Sequence, residues 1–311
     1  MGNTEENVVF NGGQIAGTLT FTQFSNGWDS QTGSGSIIEN AVLDTTVIIV
    51  DPPVGPKINN NRFTGSAGLN FEIFGGSPVI SNNNINGEID IFGGSPEISN
   101  NKIEKTSFNI DYGINSLDDS ANPYISGNVI IGCTKAGIRV DLGNATIENN
   151  LILNNAAGVL IELLAHVTIR DNTIANNQVG VKFFSSSQTI TYNNIENNNQ
   201  NIESKAKTSI TATNNWWGTT NESLIAKKIQ GYVNFVPFLT ESNTEAPEVP
   251  PSSTPTPAVT PLPTTSPTDS PTPTPSPEPP QIEFTTIAGI ALVIAVLGVG
   301  AVLLFYLIRR K

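Results

Sequence analysis

The pattern that most limits this fold is a recurring Ile-x-x-Asn-x-Ile. The segments PKINNNRF, PVISNNNI, PEISNNKI, PYISGNVI, ATIENNLI, VTIRDNTI, QTITYNNI and TSITATNN place Ile at 58, 80, 98, 125, 147, 169, 190 and 210, with a period near 22 residues. Three residues later stand Asn61, Asn83, Asn101, Asn128, Asn150, Asn172 and Asn193; the eighth segment breaks the pattern with Thr213. Five residues after the Ile an apolar side chain recurs, as Phe63, Ile85, Ile103, Ile130, Ile152, Ile174 and Ile195. A further run alternates apolar with polar: Phe71/Ile73, Ile89/Ile91, Phe108/Ile110, Ile138/Val140, Val159/Ile161 and Val181/Phe183. Stretches this short, alternating and β-branched make strands rather than helices. Three such strands per period predict an all-β parallel solenoid, each coil about 4.8 Å above the last around one continuous interior.

The repeat also explains why Asn supplies 38 of 311 residues. At a fixed turn position Asn tolerates left-handed backbone and can hydrogen-bond the Asn of the next coil. Turn amides that would be half-buried and unpaired are then satisfied. The seven asparagines therefore read as a structural ladder, and Gly137, Gly158 and Gly180, just before the third strand, as tight turns. A solenoid leaves an open sheet edge at each end. Asn214-Asn215-Trp216-Trp217-Gly218, ESLIAKKI and YVNFVPFL are expected to close the later edge as a Trp plug, a short helix and a final strand.

Composition changes divide the chain further. Residues 1–239 form the β-helix, with irregular early coils over 1–56 (including Trp28), regular coils over 57–213 and a cap over 214–239. Residues 240–282 are rich in Pro, Thr and Ser; 14 of the 21 prolines lie between Thr240 and Pro280. Such a segment cannot bury a core and reads as a disordered, polyproline-like stalk. Residues 283–308 include 25 without a charge, Phe284 to Ile308, and predict a transmembrane α-helix in a lipid bilayer. Arg309-Arg310-Lys311, residues 309–311, should stay cytoplasmic, which leaves the β-helix outside a single-pass cell membrane. Met1–Phe10 has neither the basic nor the apolar region of a signal peptide, and Glu6 breaks the myristoylation pattern. Either a leader precedes this start or the last helix inserts as a tail anchor with the domain inside; the basic tail favours the first.

The Ile-x-x-Asn-x-Ile repeats and the closing NNWWG, Asn214 to Gly218, resemble the right-handed parallel β-helix repeat proteins over about residues 37–239. The nearest groups are the nitrous-oxide-reductase accessory (NosD-like) and the carbohydrate-binding and sugar-hydrolase β-helices. The stalk and anchor resemble archaeal cell-surface proteins. The resemblance implies right-handed winding and contact with polysaccharide, although one fold hosts many activities. A NosD-like role would imply copper, which wants His, Cys or Met. The chain holds one of each, His166, Cys133 and Met1, at unrelated repeat positions, so no metal site is expected. His166 reads as a turn residue and Cys133 as a small buried hydrophobe.

A net charge of −12 and a pI near 4.5 argue against a nucleic-acid partner. For chemistry, Asp111, Asp141 and Glu162 each follow the second apolar residue of a third strand, with Arg139 and Lys182 one step earlier in theirs. Stacking would set the carboxylates about 5 Å apart, a spacing suited to an acid/nucleophile pair or to Ca²⁺. The same charges also suit a solvated, self-neutralising face. Tyr112, Tyr124 and Tyr192 are the candidates for stacking on sugar rings. Asn144-Ala145-Thr146 and Asn221-Glu222-Ser223 are glycosylation sequons. The expected role is a non-catalytic surface module, carbohydrate-binding or adhesive. The alternative is a polysaccharide lyase or glycoside hydrolase using that carboxylate column with Arg139. A structural cell-envelope component ranks third.

Overall fold

A computed structural model describes residues 9–21, 36–64, 68–104, 111–163, 165–184 and 188–250. Trp28, Phe108/Ile110, the stalk from 251 and the expected membrane helix 283–308 lie outside the described residues. Among the described residues no helix is long and apolar enough to cross a membrane.

The chain winds through three parallel ladders, adding one rung to each per coil. Among the described residues the first sheet has 11 strands, from Val9–Asn11 to Val233–Asn234. Its middle rungs are Tyr124–Ser126, Asn144–Glu148, His166–Arg170 and Gln188–Thr191. The second ladder includes Lys102–Glu104, Val129–Ile131, Leu151–Leu153, Thr173–Ala175 and Asn194–Glu196. The third runs through Leu69–Ile73, Glu88–Ile91, Tyr112–Ser116, Ala136–Val140, Ala157–Ile161, Val179–Phe183 and Gln200–Ser204. Near the start, the nine-residue strand Val42–Val50 pairs with both Arg62–Thr64 and Leu69–Ile73, so the second and third ladders are continuous there.

The inward columns are the repeat itself. Ile58, Ile80, Ile98, Ile125, Ile147, Ile169 and Ile190 stack in register and are fully buried. Each such side chain contributes about 1.5–3 kcal/mol on burial. Chain alternation puts every second residue outside, so the outer faces are set by the polar positions between these columns.

Each rung between the first and second sheets is joined by an amide ladder. The Asn61 backbone N–H and side-chain amide both donate to Asn83 Oδ1, at 2.8 and 3.1 Å. The same double bond repeats from Asn83 to Asn101, Asn128, Asn150, Asn172 and Asn193. The left-handed conformation falls on the residue before the ladder Asn: Asn60, Asn82, Asn100, Gly127, Asn149, Asp171, Tyr192 and Asn214 all have φ between 54° and 66°. The paired Asn-Asn of the sequence thus divides two tasks that the repeat alone assigned to one residue.

Thr213 does not end the ladder. Asn193 donates twice to Asn215 Oδ1, at 2.9 and 3.0 Å. The rung of the eighth segment pairs Thr189 with Thr211, which puts Ala212, not Ile210, in the isoleucine column and preserves the three-residue spacing to Asn215. Trp217, 3% exposed, then takes the place of Ile195. A second, shorter ladder joins the second and third sheets: Cys133 N–H donates to Asn155, Asn155 to Asn177 and Asn177 to Asn198. Cys133 is buried at its head.

Gly137, Gly158 and Gly180 are not tight turns. They lie second in their strands, and the reason for glycine is close approach between coils. A Cβ on Gly158 would stand 2.6 Å from both the Gly180 carbonyl oxygen and Ile174 Cγ2.

At the later end a short helix, Glu222–Lys227, is capped by Asn221 Oδ1, which accepts from the Leu224 N–H at 3.2 Å. Ile229–Gln230 and Val233–Asn234 then extend the third and first sheets, and Trp217 meets Phe235 edge-on. The chain does not leave the solenoid at Thr240. Asn243 exchanges backbone N–H and C=O bonds with the Asn194 amide at 2.7 and 3.0 Å, and its own amide reaches Asp171 and the Tyr192 carbonyl. Thr173 donates to the Pro247 carbonyl, and Ala246 is 4% exposed. Residues 240–250 are therefore a strap across the second sheet, and the boundary read from composition is moved by about ten residues. Asn243→Ala should release the strap alone, because each lost bond is worth about 1 kcal/mol and the coils keep their own. Hydrogen exchange should rise about tenfold or more over 240–250 with coil protection unchanged; faster exchange in the coils as well would refute a separable strap.

Candidate functional site

The candidate chemistry lies on the outer face of the third sheet. Its central outward column, in register, is Glu72, Asp90, Asn115, Arg139, Leu160, Lys182 and Glu203. One dyad further along, Asp141 and Glu162 follow Val140 and Ile161.

Arg139 organises the middle of this face. Its Nε donates to Glu162 at 2.6 Å, one terminal nitrogen to Asp141 at 2.9 Å and the other to Asn115 Oδ1 at 3.2 Å. Asn115, 6% exposed, passes the contact on by donating to Asp90 at 2.9 Å and Glu88 at 3.3 Å. The Tyr112 ring lies 5.4 Å from both the Lys135 ammonium and the Arg139 guanidinium, a double cation–π contact. Towards the end of the sheet, Glu203 pairs with Lys182 and Lys205.

Asp111 does not belong to the Asp141/Glu162 column. The third strand of its coil is Tyr112–Ser116, with Ile114 and Ser116 facing in, so Leu117 stands where Asp141 and Glu162 stand. Asp111 precedes the strand, pairs with Lys135 at 2.7 Å and accepts from Thr134 at 2.8 Å. These bonds hold its carboxyl below the usual carboxylate range. The three acids expected to act together are thus split between two edges of the sheet.

The carboxyls that stand out are Glu88 and Asp90. Burial, then the charge of Asp90 and a shared hydrogen bond, push Glu88 up to about 8. Burial also raises Asp90, against the opposing hydrogen bond from Asn115, and raises Glu72. The stacked rings of Phe74 and Phe92, with centroids 5.0 Å apart and planes 11° apart, follow Glu72 and Asp90 by two residues along their strands. The sequence did carry a signal for them. Glu-Ile-Asp-Ile places both acids at outward positions of a strand, before rather than after its second apolar residue.

The three tyrosines do not share a face. Tyr112 is on the third sheet, Tyr124 on the first and Tyr192 in the turn leading to the second. Tyr124 is 40% exposed with its hydroxyl bonded to Glu148, which is buried and ion-paired to Arg170. His166 opens the strand His166–Arg170 rather than a turn, exposed and in register with Asn144. Among the described residues, a concavity of about 340 Å³ lies over the first sheet near His166, and another of about 570 Å³ along the second amide ladder near Cys133. Among the described residues no three His, Cys, Asp or Glu side chains are grouped to hold a metal ion.

A sequence model described as the right handed beta helix region matches residues 46–199 and again 143–226, together more than half of the chain. The chain belongs to the right-handed β-helix family. No curated protein and no solved structure matches it. The match covers the coils of this right-handed β-helix, while the pattern of ions on its third face is read from this chain's own residues.

Proposed function

We propose that the protein is a membrane-anchored extracellular β-helix module, held on its Pro/Thr/Ser stalk by residues 283–308, that binds polysaccharide without cleaving it. The observation that carries this reading is the closure of the charged network on the third sheet. Arg139 is held between Asp141 and Glu162, so it keeps its proton and is no general base. Asp141 and Glu162 are both taken up by Arg139, and Asp111, held below the usual carboxylate range by Lys135, is a poor proton donor. A strand-built surface of fixed polar groups still suits binding, because little conformational entropy is lost when a ligand docks.

The full chain in detergent, offered a glycan array, should retain polysaccharide and release no product. Protease shaving of whole cells should remove the β-helix; its full protection would defeat the extracellular placement. A second reading, a glycoside hydrolase or lyase, is favoured by Glu88, whose raised carboxyl could donate a proton at neutral pH beside Asp90. It requires reducing ends or unsaturated products that disappear in Glu88→Gln, whereas loss in Asp141→Asn would return the column to consideration. Neither binding nor turnover would leave a structural role in the envelope.

A further inference from the structure

We propose that the trough on the outer face of the first sheet is the binding groove for an uncharged, extended glycan laid across the strands; this rests on the carbohydrate-binding reading above and gives it a place and a ligand class. The trough, about 340 Å³, is lined by nine residues, none of them Asp, Glu, Lys or Arg. In a chain of net charge −12 that is a neutral island.

Two outward columns supply its hydrogen-bonding groups. One contains Thr146, Thr168 and Thr189, paired in register through successive strands. The other contains Asn122, Asn144 and His166, with the Asn144 amide donating to Asn122 at 2.9 Å and His166 in register with Asn144. Rungs repeat at about 4.8 Å, close to the length of one pyranose along an extended glycan. Hydroxyl, amide and imidazole groups can each donate and accept, which matches sugar hydroxyls; the neighbouring cation on this face, Arg170, is taken by Glu148 and Asp171 and so offers little to a carboxylated glycan.

One rung earlier, Tyr124 takes the position of the threonine column. Its hydroxyl is fixed by Glu148, and Glu148 by Arg170, so an exposed ring stands at one end of the trough with its orientation already set. Rigid aromatic area beside a few placed polar groups is the chemistry that sugar rings recognise. The larger concavity lacks this: its described lining has no aromatic residue, and Asn155 and Asn177 there are consumed in the ladder.

The test is calorimetric titration of the full chain in detergent with neutral β-linked hexaoses of glucose, mannose and xylose, and with a hexagalacturonate. At least one neutral hexaose should bind and the acidic one should not. Thr168→Arg, which fills the trough from an outward position, should weaken binding by about tenfold or more, and Tyr124→Ala should weaken it by a smaller factor. Thr168→Val, isosteric and checked for an unchanged circular dichroism spectrum, separates a lost hydroxyl from misfolding and should also weaken binding. Neutral binding that survives both Thr168 variants overturns the groove while the carbohydrate reading stands. Binding of hexagalacturonate alone overturns the neutral class. If the wild type binds no glycan at all, the carbohydrate reading falls with it.

Discussion

Asn150→Ala should lower the unfolding midpoint by roughly 10 °C, far more than any change at its neighbour Asn149. Asn150 Oδ1 accepts from the Asn128 N–H and side-chain amide at 2.9 and 3.0 Å. Its own amide donates to Ile125 O, Glu148 O and Asn172 Oδ1, each at 2.9 Å. Alanine strands a buried N–H on one side and a buried carbonyl on the other. At about 1–3 kcal/mol per orphaned group the loss is about 3–5 kcal/mol, and a domain of this size loses about 2–4 °C per kcal/mol. Asn149, at φ 54° and exposed, holds only the left-handed turn, so Asn149→Gly should cost under about 1 kcal/mol. Asn150→Asp should be worse than alanine, because a buried carboxylate would face the Ile125 carbonyl and Asn172 Oδ1. Thermal melts of the three variants decide the matter: equal effects at 149 and 150 would mean that the hydrogen bonds between coils are not what holds the stack.

The contrast between these two asparagines also shows where the sequence is legible. The period and the inward columns are readable because isoleucine returns at seven successive coils, from Ile58 to Ile190, at a buried site that favours a β-branched side chain. Which Asn of a pair bends the chain and which bonds across coils was not, since both are the same residue. The register of the last repeat was hidden for a different reason: Ile210 looks more like a column residue than Ala212, yet only Ala212 keeps the spacing to Asn215 and Trp217. In the coil of Tyr112 an inward serine, Ser116, 0% exposed, breaks the apolar alternation. The pattern then matched Phe108 and Ile110, and Asp111 was drawn into a column it does not share. Composition likewise marks Thr240 as the start of the stalk because threonine and proline say nothing of a single Asn243 that makes five hydrogen bonds to four residues. On the first sheet, the threonines and amides of the trough alternate with inward residues as any strand's polar side does; only stacking shows that they form a continuous uncharged surface.

Stability should fall as pH rises from 5 to 8.5, opposite to the usual behaviour of a protein with paired carboxylates. Glu88 holds its proton in the folded state up to about 8, against an ordinary 4.5. Between those values the unfolded chain has released a proton that the folded chain keeps, so folding is favoured at the acid end and the advantage disappears through pH 8. Asp90 and Glu72 are raised by burial and act in the same direction. Asp111 and Glu203 are lowered by their lysines; the stability they bring is lost only as pH falls through the acid range, outside this window. Arg139 lowers Asp90 through its charge, but it makes no hydrogen bond to the pair except through Asn115 and is already committed to Asp141 and Glu162, so burial prevails. Glu88 is partly exposed, so solvent screening limits the effect to about 2 kcal/mol rather than the full value of its shift. Urea midpoints at pH 5, 7 and 8.5 should decline in that order, and Glu88→Gln should remove at least half of the difference. A flat profile, or a Glu88→Gln protein that keeps the whole decline, would mean that Glu88 is ionised at neutral pH. It would then be unable to donate a proton to a glycosidic oxygen, and the cleavage reading would lose the one group that supports it.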